Sequence, residues 1–340
     1  MTGEPAAPRP YDRPLVPPPW ARGGHLQTIL GNVLPIPAPP LGAAHGDRRR
    51  EVPLDDGDRL VLFERAPAAP PPTADGRPVR THLFHGLSGA ADADYMRRAA
   101  AALAAEGHGV WSVNHRGAGD GAGLAQGIYH SGRSDDMRAV LAASRADDPD
   151  GLHLVVGFSL SGNVGLKLLA EGEGALPDGL VAVNPPCDLH DASVRISAGL
   201  NRLYDLRFVW RLRRALAERA RAGGAPAPRV PLRSTLWDMD ELVTAPRGGF
   251  ADARDYYARC STIDRLTEVT RPVALVTAAD DPFVDGRAVA AAPRAPWVHV
   301  HLEPVGGHMG YLERRGAGWG SWLTDALVHH ARELVRLASR

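Results

Sequence analysis

Cysteine is scarce: the 340 residues hold two, Cys187 and Cys260. Two thiols cannot build a disulfide framework for a chain this long, and the low count suits a reducing, cytoplasmic setting. Lysine is rarer still. Lys167 is the only one, and every other basic residue is arginine. The 39 bases meet 39 acids, so the formal net charge is zero. Affinity for nucleic acid comes mainly from neutralising phosphates, so no nucleic-acid partner is expected. No apolar run reaches the ~18 residues that a membrane span needs, and no transmembrane segment is expected. The start, Met1-Thr2-Gly3-Glu4-Pro5, lacks the basic region and apolar core of a secretory signal. The 14 histidines form no H-E-x-x-H pattern and the cysteines stand alone, so no metal is expected. Gly117-Ala118-Gly119-Asp120-Gly121-Ala122-Gly123 does not fit a dinucleotide fingerprint, and no phosphate-binding G-x-x-x-x-G-K-[ST] occurs. No cofactor is expected.

What is present is an ordinary globular composition, 44% hydrophobic and 23% charged. Residues 1–50 form a proline-rich arm, with Pro17-Pro18-Pro19, Pro35, Pro37, Pro39 and Pro40. Proline fixes φ and lacks an N–H, so this arm is expected to hold neither regular helix nor central strand. Trp20–Leu34 is nevertheless partly apolar and should pack on the body. A second proline cluster, Pro67 and Pro70–Pro72, reads as a turn between strands.

From residue 79 strands and helices alternate. Strands are expected at Val79–Phe84, Gly109–Val113, Leu152–Phe158, Leu180–Asn184, Val273–Thr277 and Val298–Leu302. Helices are expected at Asp94–Glu106, Ser134–Arg145, Gly162–Leu169 and Trp322–Leu337. This alternation implies βαβ crossovers: an α/β fold with a mostly parallel central sheet and helices on both faces. The body then runs over 51–340. Its alternation breaks between about 187 and 258, where an arginine-rich amphipathic stretch (Arg202 to Arg221), Gly223-Gly224 and Tyr256-Tyr257 fall. Helical content placed between two sheet strands is how a cap over an active site reads in sequence, the alternative being a surface excursion packed at one side.

The strongest local signal is Gly157-Phe158-Ser159-Leu160-Ser161-Gly162, where a buried strand runs into a turn holding a serine and then a helix. This is the setting of a nucleophile elbow, although Ser159 could also be an ordinary helix N-cap. A serine needs a base and a group to orient that base. In elbow hydrolases the order is serine, acid, histidine. Asp280-Asp281 follows one late strand, and His308, in Gly306-Gly307-His308, follows the next. Asp281 is preferred as the acid, because Pro282-Phe283-Val284 supplies the short apolar turn that usually follows it. His299 and His301 alternate with Val298, Val300 and Leu302 and should line one face of a strand. The backbone N–H of Leu160 is one expected oxyanion donor, and that of Leu87, in the loop after Phe84, is the other.

These residues resemble the YheT-like family of the α/β-hydrolase superfamily. Gly24-His25-Leu26-Gln27-Thr28-Ile29 matches its N-terminal motif. His85-Gly86-Leu87, Asn114-His115-Arg116-Gly117 and Tyr129-His130-Ser131-Gly132, followed by Asp135-Asp136, match later blocks. So do Gly249-Phe250 with Asp255-Tyr256-Tyr257, Asp280-Asp281-Pro282-Phe283 and Gly306-Gly307-His308. The resemblance implies an α/β-hydrolase fold and serine hydrolysis of small-molecule carboxylic esters, some of them lipid-like, by Ser159, Asp281 and His308. Ser161 departs from the family, which usually has glycine there. Serine suits the first turn of the following helix, so the position should tolerate it. The same three groups would also serve an acyltransferase, and a non-reacting acyl-binding protein is the reading from another class.

Overall fold

The computed structural model describes residues 6–223 and 225–339. The start read above for a signal (1–5), Gly224 and Arg340 lie outside the described residues. In chain order the elements are α1 (Gly24–Val33), β1 (Arg48–Pro53), β2 (Arg59–Arg65), β3 (Val79–Phe84), α2 (Asp94–Ala105), β4 (His108–Asn114) and α3 (Ser134–Asp147). Then come β5 (Leu152–Phe158), α4 (Leu160–Glu171), β6 (Gly179–Val183), α5 (Leu189–Ser197), α6 (Arg202–Arg221), α7 (Leu236–Met239), α8 (Ala245–Gly248) and α9 (Ala253–Cys260). The chain closes with β7 (Val273–Ala278), α10 (Gly286–Ala291), β8 (Val298–Glu303), the hairpin β9 (Leu312–Arg315) and β10 (Gly318–Ser321), and α11 (Trp322–Ala338).

Eight strands form one sheet in the order β1-β2-β4-β3-β5-β6-β7-β8. Strand β2 pairs antiparallel with both of its neighbours, and the pairs from β4 onward to β8 are parallel. The central strands are apolar without alternation because both faces are covered. Val155 packs with Val140 and Leu141 of α3 and Val164 of α4 on one face. Leu154 and Val156 pack with Met96 and Leu103 of α2 and Leu327 and Leu334 of α11 on the other.

Two expectations about the start of the chain need correction. The arm contains a regular helix, α1, which occupies the proline-free window between Pro19 and Pro35. Proline constrains only its own position and the one before it, so ten residues free of it can turn helical. The sheet also begins inside the arm, with β1 starting at Arg48 rather than after residue 50. As an edge strand, β1 tolerates a terminal proline at Pro53.

Between β6 and β7 the chain leaves the sheet for α5 to α9. Two small apolar clusters of its own hold this excursion together. One centres on Tyr256, Tyr257 and Cys260, the other on Val209, Met239 and Val243. Blocks far apart in sequence meet in space, both at this excursion and in the body beneath it. The Tyr256 hydroxyl accepts from Ser131 N–H at 3.0 Å, and the His130 ring lies edge-on to both Phe250 and Tyr256. Arg116 is buried and forks onto Asp136, with further bonds to Asp56 and Asp58. Both cysteines are free and buried, and burial pushes each thiol up to about 12.

Candidate active site

Strand β5 ends at Phe158, and Ser159 then takes φ 51° and ψ −117° before α4 begins. Positive φ is costly for a residue with a Cβ and persists only where the surroundings impose it. The imposition is visible. Ser159 N–H donates to the Val183 carbonyl at 2.7 Å, and a Cβ added to Gly157 would sit 2.4 Å from the Ser161 carbonyl oxygen. Strand and helix are therefore packed too tightly for any side chain at 157. Ser159 holds the N-cap position, but its side chain makes no capping bond. Its Oγ instead lies 2.9 Å from His308 Nε2.

His308 Nδ1 lies 2.8 Å from Asp281 Oδ2, and the Asp281 side chain is fully buried. The remaining acceptor capacity of Asp281 is filled. Its Oδ1 accepts from Phe283 and Val284 N–H at 2.8 and 3.1 Å, and its Oδ2 also accepts from Asn184 Nδ2 at 2.7 Å. The aspartate is thus fixed on four sides, and its orientation sets that of the imidazole. Asp280 points elsewhere: its Oδ1 accepts from Gly306 and Gly307 N–H, both at 2.9 Å. It anchors the loop that carries the histidine. His299 and His301 lie on β8, as the alternation predicts, and His301 bonds Glu303 at 2.8 Å instead of Ser159.

The N-terminal motif explains itself at this loop. His308 N–H donates to Thr28 Oγ1 at 2.8 Å. Gln27 spans Ala21 and Leu312 through three bonds to backbone atoms. The contact is backbone against backbone. A Cβ on Gly24 would fall 1.7 Å from the Asp280 carbonyl oxygen, and one on Gly31 would fall 2.5 Å from Gly310 Cα.

The loop after β3 packs over the serine, with the site of a Gly86 Cβ 3.2 Å from Ser159 Cβ. Gly86 N–H donates to the Tyr95 hydroxyl at 3.0 Å, and Ser88 N–H to the Tyr129 hydroxyl at 2.8 Å. The N–H of Leu87 between them has no acceptor among the described residues, nor has that of Leu160 at the start of α4. Ser161 is helical and buried, as expected, but it also forms bonds that its sequence position does not announce. Its hydroxyl donates to the His85 carbonyl at 2.5 Å and lies 2.7 Å from His115 Nε2. Burial lowers His85 to about 4 and drives His115 well down too, so both rings are neutral.

A cavity of about 520 Å³ opens above Ser159 and His308. Its walls are mainly apolar, with Leu87, Leu160, Ile196, Leu216, Val243 and Phe283 among them, and α5 and α6 supply much of one side. Asp240 is the buried acid of the wall. Burial pushes it up to about 6, and the Tyr257 hydroxyl donates to it at 2.8 Å. Sequence reasoning missed Asn184, Tyr95 and any role for Thr28. Thr28 and Tyr129 stood in recognised blocks, but nothing local marks Asn184 except its place after a strand.

The strand order, with its single antiparallel strand near one edge, and the strained serine turn define the class: this is an α/β hydrolase. A match to the family described as serine aminopeptidase, S33, covers residues 80–313. The chain is 32% identical over 266 residues to "Putative esterase YheT" of Escherichia coli (strain K12), covering 76% of this chain and 77% of that one. It is 24% identical to "Monoacylglycerol lipase ABHD2" of Danio rerio, covering 96% and 80%. Among solved structures it is similar in fold to Est1E of Butyrivibrio proteoclasticus with ferulic acid bound. That likeness has a TM-score of 0.56 at 16% identity and covers 84% of this chain and 99% of that one. The chain belongs to this S33-type family of α/β hydrolases, in its YheT-like branch.

Proposed function

We propose that the protein hydrolyses carboxylic esters through an acyl-enzyme on Ser159. The observation that carries this reading is the continuous chain Ser159 Oγ–His308 Nε2–His308 Nδ1–Asp281 Oδ2, with links of 2.9 and 2.8 Å. His308 takes the serine proton as Oγ attacks the ester carbonyl, and returns it to the leaving alcohol. Asp281 holds the tautomer that keeps Nε2 free to accept. The carbonyl oxygen, now negative, meets the N–H groups of Leu87 and Leu160, which have no competing acceptor. Water deprotonated by His308 then attacks the acyl-enzyme, releasing the acid and restoring Ser159.

The excursion from α5 to α9 acts as a cap in this scheme. Its apolar wall favours an acyl chain or other apolar group, which agrees with the esterase and lipase names of the relatives. A panel of p-nitrophenyl esters of graded chain length tests the reading. Hydrolysis is expected and should fall by several orders of magnitude in Ser159→Ala. Absence of turnover on every ester, or full activity in the variant, would overturn it.

A further inference from the structure

Helix α6 departs from the charge balance of the chain. Its 20 residues carry seven arginines against Asp205 and Glu218, in a protein of zero formal net charge. Arg219 is turned inward onto the carbonyls of Ala125 and Gly127. Arg202 pairs with Asp205, and Arg214 with Glu218. Arg207 and Arg211 are exposed and have no acidic partner among the described residues.

The same outward face is apolar. Leu203 is 70% exposed and Trp210 59%, with Leu206 between them also exposed. Leu200, on the turn before the helix, is 74% exposed. The patch also extends sideways. Arg202 donates to the Arg233 carbonyl, which brings Leu232 alongside at 82% exposure. His25 stacks on Tyr204 with ring planes 5° apart, so exposed Leu26 at the end of α1 joins the same region. Single exposed leucines are ordinary, but a contiguous group of large ones marks a surface that meets something.

We propose that this face docks on an anionic lipid surface. A helix with leucine and tryptophan on its outer face and arginines flanking them suits the headgroup boundary of a bilayer, the apolar side chains entering and the cations meeting phosphate. A second copy of this chain fits less well. In a two-fold contact the same patch would face itself, bringing two sets of unpaired arginines into one interface. The docking rests on the surface alone. Its use rests on the ester-hydrolase reading: Trp210 and Arg211 also line the cavity over Ser159, so a lipid-borne ester would enter from the docked side.

Flotation of the whole protein with vesicles tests this, using phosphatidylcholine alone and phosphatidylcholine mixed with phosphatidylglycerol. Binding should be at least about tenfold stronger on the anionic vesicles and should weaken as salt is raised. The double variant Leu200→Ser, Leu203→Ser should lose about tenfold in binding. It should hydrolyse a short, water-soluble p-nitrophenyl ester at the unaltered rate, which also shows that it folds. Arg207→Gln should remove part of the preference for anionic vesicles. No flotation, or equal flotation with both vesicles, would overturn the proposal. So would a dimer in solution that Leu203→Ser dissociates. Flotation without hydrolysis of any ester would leave the docking standing and overturn the ester reading instead.

Discussion

The Ser161 hydroxyl donates to the His85 carbonyl at 2.5 Å, which ties the helix after Ser159 to the loop that carries Leu87. With that proton committed, His115 donates its Nε2–H to the same oxygen at 2.7 Å. Glycine at 161 could make neither bond.

Ser161→Gly should therefore leave two buried polar groups without partners, at a cost of about 1–3 kcal/mol in stability. The freed loop also aims Leu87 N–H less well. A fall in kcat of about tenfold with KM nearly unchanged is expected, because the oxyanion forms only in the transition state. Urea unfolding and steady-state kinetics on one soluble ester check both. Unaltered stability with kcat within a factor of two or three would show that the tie contributes nothing.

The two adjacent aspartates should separate cleanly. Asp281 touches the imidazole, and Asp280 holds Gly306 and Gly307. Asp281→Asn should lower kcat by roughly 10⁴-fold, the size seen when a triad acid is made neutral. Asp280→Asn keeps one acceptor for the loop and should cost far less. Equal losses, or the reverse order, would reassign the acid.

The contact between α1 and the histidine loop predicts a remote effect. Gly24→Ala must displace Gly24 or the Asp280 carbonyl, because the new Cβ has no room. A shift of about 1 Å beside Asp281 can cost on the order of 10² in kcat. Leu26→Ala, on the exposed side of the same helix, should leave hydrolysis of a soluble ester unchanged. Matching kinetics for the two variants would contradict the contact.

Buried histidines set an acid limit. Burial lowers His82 to about 3, His85 to about 4 and His130 to about 3. In the unfolded chain all three take up protons near pH 6.5, while in the folded chain they stay neutral well below it. The unfolded state thus binds more protons as pH falls. Their contribution is complete above about pH 6.5 and is lost progressively below it, by about 1.4 kcal/mol per pH unit per histidine. Urea midpoints taken from about pH 7.5 down to about pH 5 should decline. A flat series would show that these rings are not buried neutral.

Much of this was legible in the chain itself. Strands β3 and β5 run over the residues that their apolar runs predict. Ser159 and His308 stand out because an elbow needs small neighbours and a base needs a loop after a late strand. The arm was less legible, because proline density masked the ten-residue gap that forms α1. Asn184 and the Ser161–His85 tie were not legible at all. Both depend on which loops the sheet order brings together, and no local pattern records that.

The central claim is that Ser159 carries the covalent intermediate, and intact-mass analysis after a fluorophosphonate tests it most directly. The account predicts one adduct per chain, mapped to the peptide holding Ser159 and absent from a folded Ser159→Ala variant. Undiminished labelling of that variant, or an adduct on another residue, would contradict it.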